Sequence, residues 1–455
     1  MKFNNLLFAF ILFLSLNAFS QTELTLPFME NVHQSSYVNP SGIPDHKFSI
    51  GLPGISSVYV DLTNTGFSYS DLKSDTARKY DPYKALNAMK STNYLNFGTK
   101  IDLFSMRFKA RDWFFMMNVT ENTNFKFSYP KDFFGLFMNG NGNQSVYDWK
   151  NLGIDGIHYR EYGIGFTRDT KKFSFGGRFK LLQGLSNFHS ETDDLQLVTD
   201  IDGMYRLKAT ADANFYSSGL SSFSNAQDYL MNMKNLGGAI DLGFTYKYTP
   251  KLHFVVSAIN IGYINWTSDV TKLNFKGGAE FDGADVLKPF LSNGESFKFK
   301  EVMDSLGRKF ATESSEGESY KTWLAPSFYV QANYHIRRKT SIGAAVYLEK
   351  YKVIRPTLTL MANQKVGRML SVVGTYSIKF GEFTNVGVGL VFKPGPFDFY
   401  FVGDNLMVPL VKYMVDGFQL TEKNVDPLKT VNFRMGMNLV FGRIKQPDKL
   451  SYWDF

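Results

Sequence analysis

Residues 430 to 442 read TVNFRMGMNLVFG. In an extended chain successive side chains point to opposite faces. Val431, Phe433, Met435, Met437, Leu439 and Phe441 therefore share one face, and Asn432, Arg434, Gly436 and Asn438 the other. One face is apolar and one is polar. Such a strand suits the wall of a transmembrane barrel, with the first set facing lipid and the second lining the lumen. A solvent-faced strand of a soluble antiparallel sheet alternates in the same way. The choice between the two rests on what surrounds the stretch.

At the other end of the chain, Met1 to Gln21 carries Lys2, an apolar core from Leu6 to Leu16, and then Ala18-Phe19-Ser20. This is the layout of a secretory signal peptide cleaved near Ser20, so the mature chain is expected to be exported. The apolar core is too short to span a bilayer as a helix, and no later run reaches about 18 apolar residues. With Cys 0, the chain has neither a disulfide framework nor a thiol nucleophile. An aromatic content of 16%, with 44 Phe, 25 Tyr and 38 Gly, is the inventory of a strand-rich and hairpin-rich protein. The formal charge of +8 is scattered through turns and strands. Nucleic acid is excluded as a partner, because a binder concentrates its charge in a basic patch with interleaved aromatics.

Paired strands with tight connections recur through the chain. Phe97 to Phe108 and Trp113 to Thr120 flank Lys109 to Asp112, and Tyr159 to Arg168 and Phe173 to Leu182 flank Asp169 to Lys172. Leu195 to Thr199 and Met204 to Ala213 are joined through Asp200 to Gly203. Further pairs meet across Thr249-Pro250-Lys251, Arg337-Arg338-Lys339 and Pro394-Gly395-Pro396, and Arg355 to Asn363 pairs with Leu370 to Phe380. The intervening segments 121–158, 183–194, 214–238, 263–326 and 404–429 read as long loops. Short turns alternating with long loops match an outer-membrane barrel, with turns on the periplasmic side. With an early strand near Ser56 to Leu62, the expected fold is an all-β, closed antiparallel transmembrane barrel of about 14 to 16 strands.

Residues 21–95 are less regular. Tyr37 to Gly42 and Lys47 to Gly54 are punctuated by Pro40 and Pro53, which suits an inward-folded plug better than a central wall strand. Asp81 to Ser91 reads as a short helix with Asp81 as N-cap and Pro82 in the first position. The expected organisation is a signal peptide over 1–20, a plug-like segment with the first strands over 21–95, a barrel over 96–442 and a periplasmic tail over 443–455. An Asn-Pro-small-Gly segment leading into a barrel, here Asn39-Pro40-Ser41-Gly42, resembles the FadL family of outer-membrane hydrocarbon transporters. With Ser49 to Pro53 and Ile261 to Trp266 the chain is also similar to PorV-like and other uncharacterised outer-membrane barrels of gliding and gut-type Gram-negative bacteria. The resemblance implies 14 strands. It departs at the end, where FadL-type barrels finish on the last strand, whereas Arg443 to Phe455 follows it here.

The faces can be assigned from the alternation. Ile240, Leu242, Phe244, Tyr246 and Tyr248, then Val386, Val388, Leu390 and Phe392, then Phe397, Phe399 and Phe401, are expected to face lipid, with Tyr246, Tyr248 and Trp266 in aromatic girdles. Asp102, Arg178, Lys180, Asp241, Gln331, Asn333, His335, Glu349, Lys379 and Arg434 are expected to line a wet, partly plugged and salt-bridged lumen.

Chemistry-bearing signals are sparse. Ser327, Asn333 and His335 share a face with Ser341 on the next strand, but no Gly-x-Ser-x-Gly motif accompanies them, and no enzyme is expected. The six histidines lack zinc-ligand spacing, and Asp200 to Gly203 lacks the later acidic ligands of a calcium loop, so neither metal nor cofactor is expected. Gly176-Gly177, Gly237-Gly238 and Gly277-Gly278 read as bulges or bends. Pro130 to Leu136 with Phe137-Met138 is either a groove for a greasy ligand or a loop packed on its neighbour. Two functions follow. The chain binds or passes a hydrophobic small molecule across the outer membrane, or it is a non-transporting barrel component of a secretion or surface-assembly machine with protein partners.

Overall fold

The computed structural model describes residues 23–30, 32–67, 69–72, 80–139, 146–199, 207–221, 225–281, 311–350, 354–379, 382–404 and 430–444. The expectations for the signal peptide, the 200–203 turn, the 404–429 loop and the tail beyond 444 lie outside these residues.

The first wall strand is built in two pieces, β1 (His46–Gly51) and β2 (Val58–Asn64). Leu52 to Ser57, with Pro53, interrupts them, as a residue without an N–H must. The wall continues through β3 (Thr92–Ala110) and β4 (Trp113–Pro130). A short β5 (Val146–Asp148) precedes β6 (Gly153–Asp169) and β7 (Phe173–Thr199). Then come β8 (Leu207–Ser218), β9 (Asn235–Lys247), β10 (Leu252–Trp266), β11 (Val270–Phe281), β12 (Ala311–Glu316) and β13 (Tyr320–Trp323). The last stretch holds β14 (Ser327–Arg337), β15 (Thr340–Lys350), β16 (Ile354–Val366), β17 (Leu370–Lys379), β18 (Glu382–Phe392), β19 (Phe397–Asp404) and β20 (Thr430–Arg443).

Residues 430–443 close the wall. β20 pairs antiparallel with β19 on one side and with both β1 and β2 on the other, and those two pieces pair in turn with β3. Counting the first split strand once, β3, β4, β6, β7, β9, β10 and β14 to β20 complete a closed antiparallel barrel of 14 strands. A closed ladder leaves no row of unpaired N–H and C=O groups at an edge.

Several strands outrun the sequence reading. β7 is continuous over 27 residues, so the expected loop at 183–194 is strand. Its first part, Phe173 to Gly184, pairs with β9, and its second, Asn187 to Thr199, pairs with β8. At about 3.3 Å per residue such a strand is about 90 Å long, far beyond the 9 to 11 residues that cross hydrocarbon. The upper part therefore leaves the wall and carries a sheet of β8, β11 and β12. The polar run HSETDD, residues 189–194, has no lipid-facing alternation, which is why it read as a loop. The expected loop at 121–158 likewise resolves into the end of β4, the helix Lys131–Asn139, β5 and the start of β6. The helix Pro82–Ala88 forms as its signals require, with the Asp81 carboxylate accepting from the N–H of Tyr83 and Lys84.

Residues 23–30 and 32–45 lie inside the barrel. Leu24, Leu26, Phe28, Met29, Val32 and Val38 form one apolar cluster with the inward side chains of Ile259, Tyr329, Tyr347, Met361, Val373, Val391, Tyr400 and Val402. The sequence suggested a lumen that is wet, partly plugged and salt-bridged, and on this side it is a dry core. Tyr, Met and Val at inward positions of β14 to β19 face no water because the N-terminal segment covers them. Outside, Leu242 is 51% exposed, Phe244 45%, Met435 46% and Phe441 50%. Phe433, Met437 and Leu439 are half-buried on the same outer face, and the side chain of Val431 is outside the described set. No helix among the described residues is long and apolar enough to cross a membrane.

Asn438 is buried, and its amide and that of Gln34 donate to each other at 3.0 and 2.9 Å. Met437→Arg, on the outer face, is expected to lose about 2–4 kcal/mol in a bilayer. Asn438→Arg is expected to lose at least about 1–3 kcal/mol, because it leaves Gln34 without its partner. Urea unfolding of the refolded chain in vesicles measures both, and tolerance of either contradicts the facing assigned here.

Candidate functional site

The Asn39-Pro40-Ser41-Gly42 turn is docked against the inner wall. Asn39 closes it on itself, its Oδ1 accepting from the Ser41 N–H at 3.1 Å and the Ser41 hydroxyl at 2.7 Å. Thr167 donates to the Pro40 carbonyl at 2.6 Å, Arg107 to the Gly42 carbonyl at 2.6 Å, and Ser257 to the Val38 carbonyl at 2.7 Å. Ser41 Oγ lies 2.7 Å from Thr245 Oγ1. The wall is stripped to backbone where the turn presses on it, since a Cβ on Gly176 would overlap the Pro40 carbonyl and one on Gly243 the Ser41 nitrogen. Gly176 and Gly177 keep the regular ladder with β6 and β9 in place of the bend the sequence suggested, and Gly176 is needed for the close approach of Pro40.

Above this turn is a buried ionic cluster. Arg178 and Lys180, on β7, both reach Asp241 Oδ2 on β9, at 2.7 and 2.8 Å. Glu161 on β6 lies 3.5 Å from Arg178 and 3.4 Å from Lys180, and accepts from Asn118 at 3.0 Å. Across the lumen Arg434 pairs with Glu23 at 2.5 Å and also bonds Ser57, while Lys100 lies 3.9 Å from Glu23. Tyr37 stands between the two groups, donating to Asp102 at 2.7 Å, with the Arg178 guanidinium 4.8 Å from its ring centroid. Burial of these charges is tolerable because Arg178, Lys180 and Arg434 each pair with a carboxylate within hydrogen-bonding distance.

Asp241 has a second task. The β9–β10 register breaks between Ala258 and Ile261, and Asn260 sits there at φ 61°. Asp241 Oδ1 accepts the Asn260 N–H at 2.7 Å, and Lys180 donates to Asn260 Oδ1 at 2.6 Å. The carboxylate thus holds a bulge in the wall and the lumen cations together.

On the outer side of the same wall lies a groove of about 850 Å³. Phe104, Met117, Ile164, Phe179, Leu181, Ile240, Ile261, Tyr263 and Trp323 line it, and Gly163, Gly237, Gly238 and Gly262 thin its floor until Asn118 and Lys180 come within it. A second hollow of about 340 Å³, over Gly176, Gly177 and Gly243, lies outside the docked turn. Within the lumen the corresponding spaces hold only about 50 and 60 Å³.

Of the remaining sequence-predicted lumen residues, Gln331 and Asn333 are buried beneath the N-terminal segment, Gln331 donating to Asn333 at 2.8 Å and Asn333 to Glu30 at 2.9 Å. His335 is half-buried at the turn end, its ring 5.2 Å from that of His253. The side chains of Glu349 and Lys379 are outside the described set. Ser327 is eight positions along the strand from His335, about 26 Å, so no Ser-His-Asn arrangement is assembled there. The helix Lys131–Asn139 packs rather than opens, with Leu136 against Tyr147 and Leu197, and Phe134 and Met138 against Leu86, Met89 and Tyr129.

Asp45, His46 and Asp398 bring three ligand atoms within 4.8 Å of one another. Nothing in the sequence marks this grouping, since Asp398 is remote from the other two. The chain's own cations take the carboxylates: Lys393 lies 2.7 Å from Asp45 and 3.4 Å from Asp398, and Arg443 also pairs with Asp398. Burial works against ionisation of Asp45, but His46 and Lys393 hold its carboxyl well below the usual range.

A family model described as a family of unknown function, DUF5723, matches residues 40–404. The chain belongs to that family. The match runs from the docked Pro40 to the last residue of β19. No curated protein matches the sequence. Among solved structures, the deltaS2S3 mutant of the monoaromatic hydrocarbon channel TodX is 10% identical at a TM-score of 0.46, covering 89% of this chain and 93% of that one. The Ralstonia pickettii toluene transporter TbuX is 8% identical at 0.46, with 90% and 94% covered. A Pseudomonas aeruginosa FadL homologue is 10% identical at 0.43, with 94% and 99% covered. These are likenesses of strand layout, and the barrel is read from this chain's own ladders.

Sequence reasoning missed Glu23, Glu161 and Asn260. Glu23 lies 411 positions from its partner Arg434, and nothing local marks a residue destined for a bulge. Asp241→Asn is expected to lose about 3–5 kcal/mol in the same unfolding measurement, because two buried cations lose their shared anion. A loss below about 1 kcal/mol would mean that the cluster is solvated rather than paired.

Proposed function

We propose that the protein resides in the outer membrane and takes up a hydrophobic small molecule at the wall groove of β4, β6, β7, β9 and β10. The observation that carries the reading is that groove. Its volume suits a drug-sized apolar ligand, and its walls are apolar with a few polar groups at the glycine-thinned floor. The outer-membrane placement is supported by the closed ladder and by apolar side chains on the outer face. On this reading residues 23–45 act as a plug, and passage requires the Asn39 to Gly42 turn to withdraw from Gly176 and Gly243. The side chains of the ionic cluster would be the polar floor that the ligand meets first.

A second reading, a non-transporting barrel component of a secretion or surface-assembly machine, is favoured by the filled lumen, where the spaces among the described residues are about 50 and 60 Å³. It predicts no uptake and stoichiometric protein partners on purification.

Gly238 discriminates the two, because a Cβ there meets only the Lys180 carbonyl oxygen at 3.7 Å while the position lines the groove. Gly238→Phe is expected to fill the groove, leave the barrel folded, and reduce binding of a naphthalene-based fluorescent probe by vesicle-reconstituted protein about tenfold or more. Unchanged binding, or no binding by the wild type, would overturn the uptake reading.

A further inference from the structure

We propose that the turn end of the barrel is a cationic collar that binds the anionic phosphate headgroups of the phospholipid leaflet around it. The proposal rests on the membrane placement above and is independent of the groove.

The six turns at this end of the wall, which join β3–β4, β6–β7, β9–β10, β14–β15, β16–β17 and β18–β19, all carry Lys or Arg. Arg111, Lys171, Lys172, Arg338, Lys339 and Arg368 are exposed, and they come from the β3–β4, β6–β7, β14–β15 and β16–β17 turns. The same turns expose one carboxylate, Asp112. Those that could offset the excess are already engaged: Asp169 by Lys247, and Asp45 and Asp398 by Lys393 and Arg443. The charge left over is therefore positive, and it is spread around the circumference instead of gathered on one side.

Just above the collar the wall turns outward a band of exposed aromatics, among them Phe173, Tyr248, Phe254, Tyr334 and Phe397. The Arg168 guanidinium stacks over the ring of Trp113, 5.1 Å from its centroid, at the same level. Aromatic rings settle at the depth of the headgroups, and long Lys and Arg stems reach from there into the phosphate layer. The two bands together match one leaflet's interface. A protein partner would engage one sector of the rim, whereas an annulus of charge fits an annulus of lipid. The attraction acts within a Debye length of about 8 Å at physiological salt, so it is felt by the first lipid shell.

The test uses the full mature chain refolded into phosphatidylcholine vesicles containing about 30% phosphatidylglycerol, with spin-labelled lipids of each headgroup reporting the relative association constant for the first shell. Wild-type protein is expected to favour phosphatidylglycerol about threefold or more, falling to about one in Lys171→Glu/Lys172→Glu/Lys339→Glu/Arg368→Glu and in the wild type at about 1 M salt. These are exposed turn positions. If the quadruple variant does not insert, the double variants Lys171→Glu/Lys172→Glu and Lys339→Glu/Arg368→Glu are expected each to lower the preference by an intermediate amount. A preference near one in the inserted wild type, or one that the charge reversals leave unchanged, overturns the collar while the membrane placement stands. An acidic protein that co-purifies with the wild type alone, with no lipid preference, also overturns it. Failure of the wild type to insert at all removes the membrane placement and the collar with it.

Discussion

Everything in this molecule follows from one constraint: a sheet with an apolar outer face in hydrocarbon can have no open edge. The chain meets it where β20 joins β1 and β2, bringing the first and last described wall strands side by side. That junction is also where Arg434 of β20 reaches Glu23 of the interior segment. Closing the wall and fixing what lies inside it are therefore one event at the level of contacts.

Closure sets the problem of the interior, which a 14-strand barrel leaves too wide for its own side chains to fill. The chain divides the solution into two halves. Against β14 to β19 the N-terminal segment brings Leu, Phe, Met and Val, and the lumen there is a dry core. Against β3 to β10 it brings the Asn39 to Gly42 turn and Tyr37, and the wall answers with paired charges and with glycines that let backbone meet backbone. The second half is also the one with hollows on its outer face. Thin wall, a bulge held by Asp241 and an apolar groove coincide, which is why the proposed uptake is placed there.

The wall was legible in the sequence wherever its outer face is apolar and its inner face polar, because period-two alternation then holds at every position. Thr430 to Gly442 and Ile240 to Tyr248 are such runs. It was illegible where strands continue past the apolar belt: residues 189–194 of β7 are polar on both faces, and read as loop although β7 pairs with β8 from Asn187 to Thr192. The lumen charges were legible as inward residues, but their partners were not. Glu23 meets Arg434 only through closure, while Glu161 reaches Arg178 across the β6–β7 pairing and Asn260 reaches Lys180 at the bulge of β10. The dry half could not be read from the strands alone, because inward Tyr329, Tyr347 and Met361 have meaning only once a second segment covers them.

The alternation itself can be measured directly. The chain has Cys 0, so single cysteines can be placed one at a time from Leu358 to Ala362 of β16 and spin-labelled in the vesicle-inserted protein. Leu358, Leu360 and Ala362 are exposed on the outer face, and Thr359 and Met361 are buried within. The account predicts high collision rates with dissolved oxygen at the first three and low rates at the other two. A flat profile, or strong collision with a water-soluble nickel chelate at the outer positions, would contradict a barrel whose outside is lipid and whose inside is filled by its own N-terminal segment.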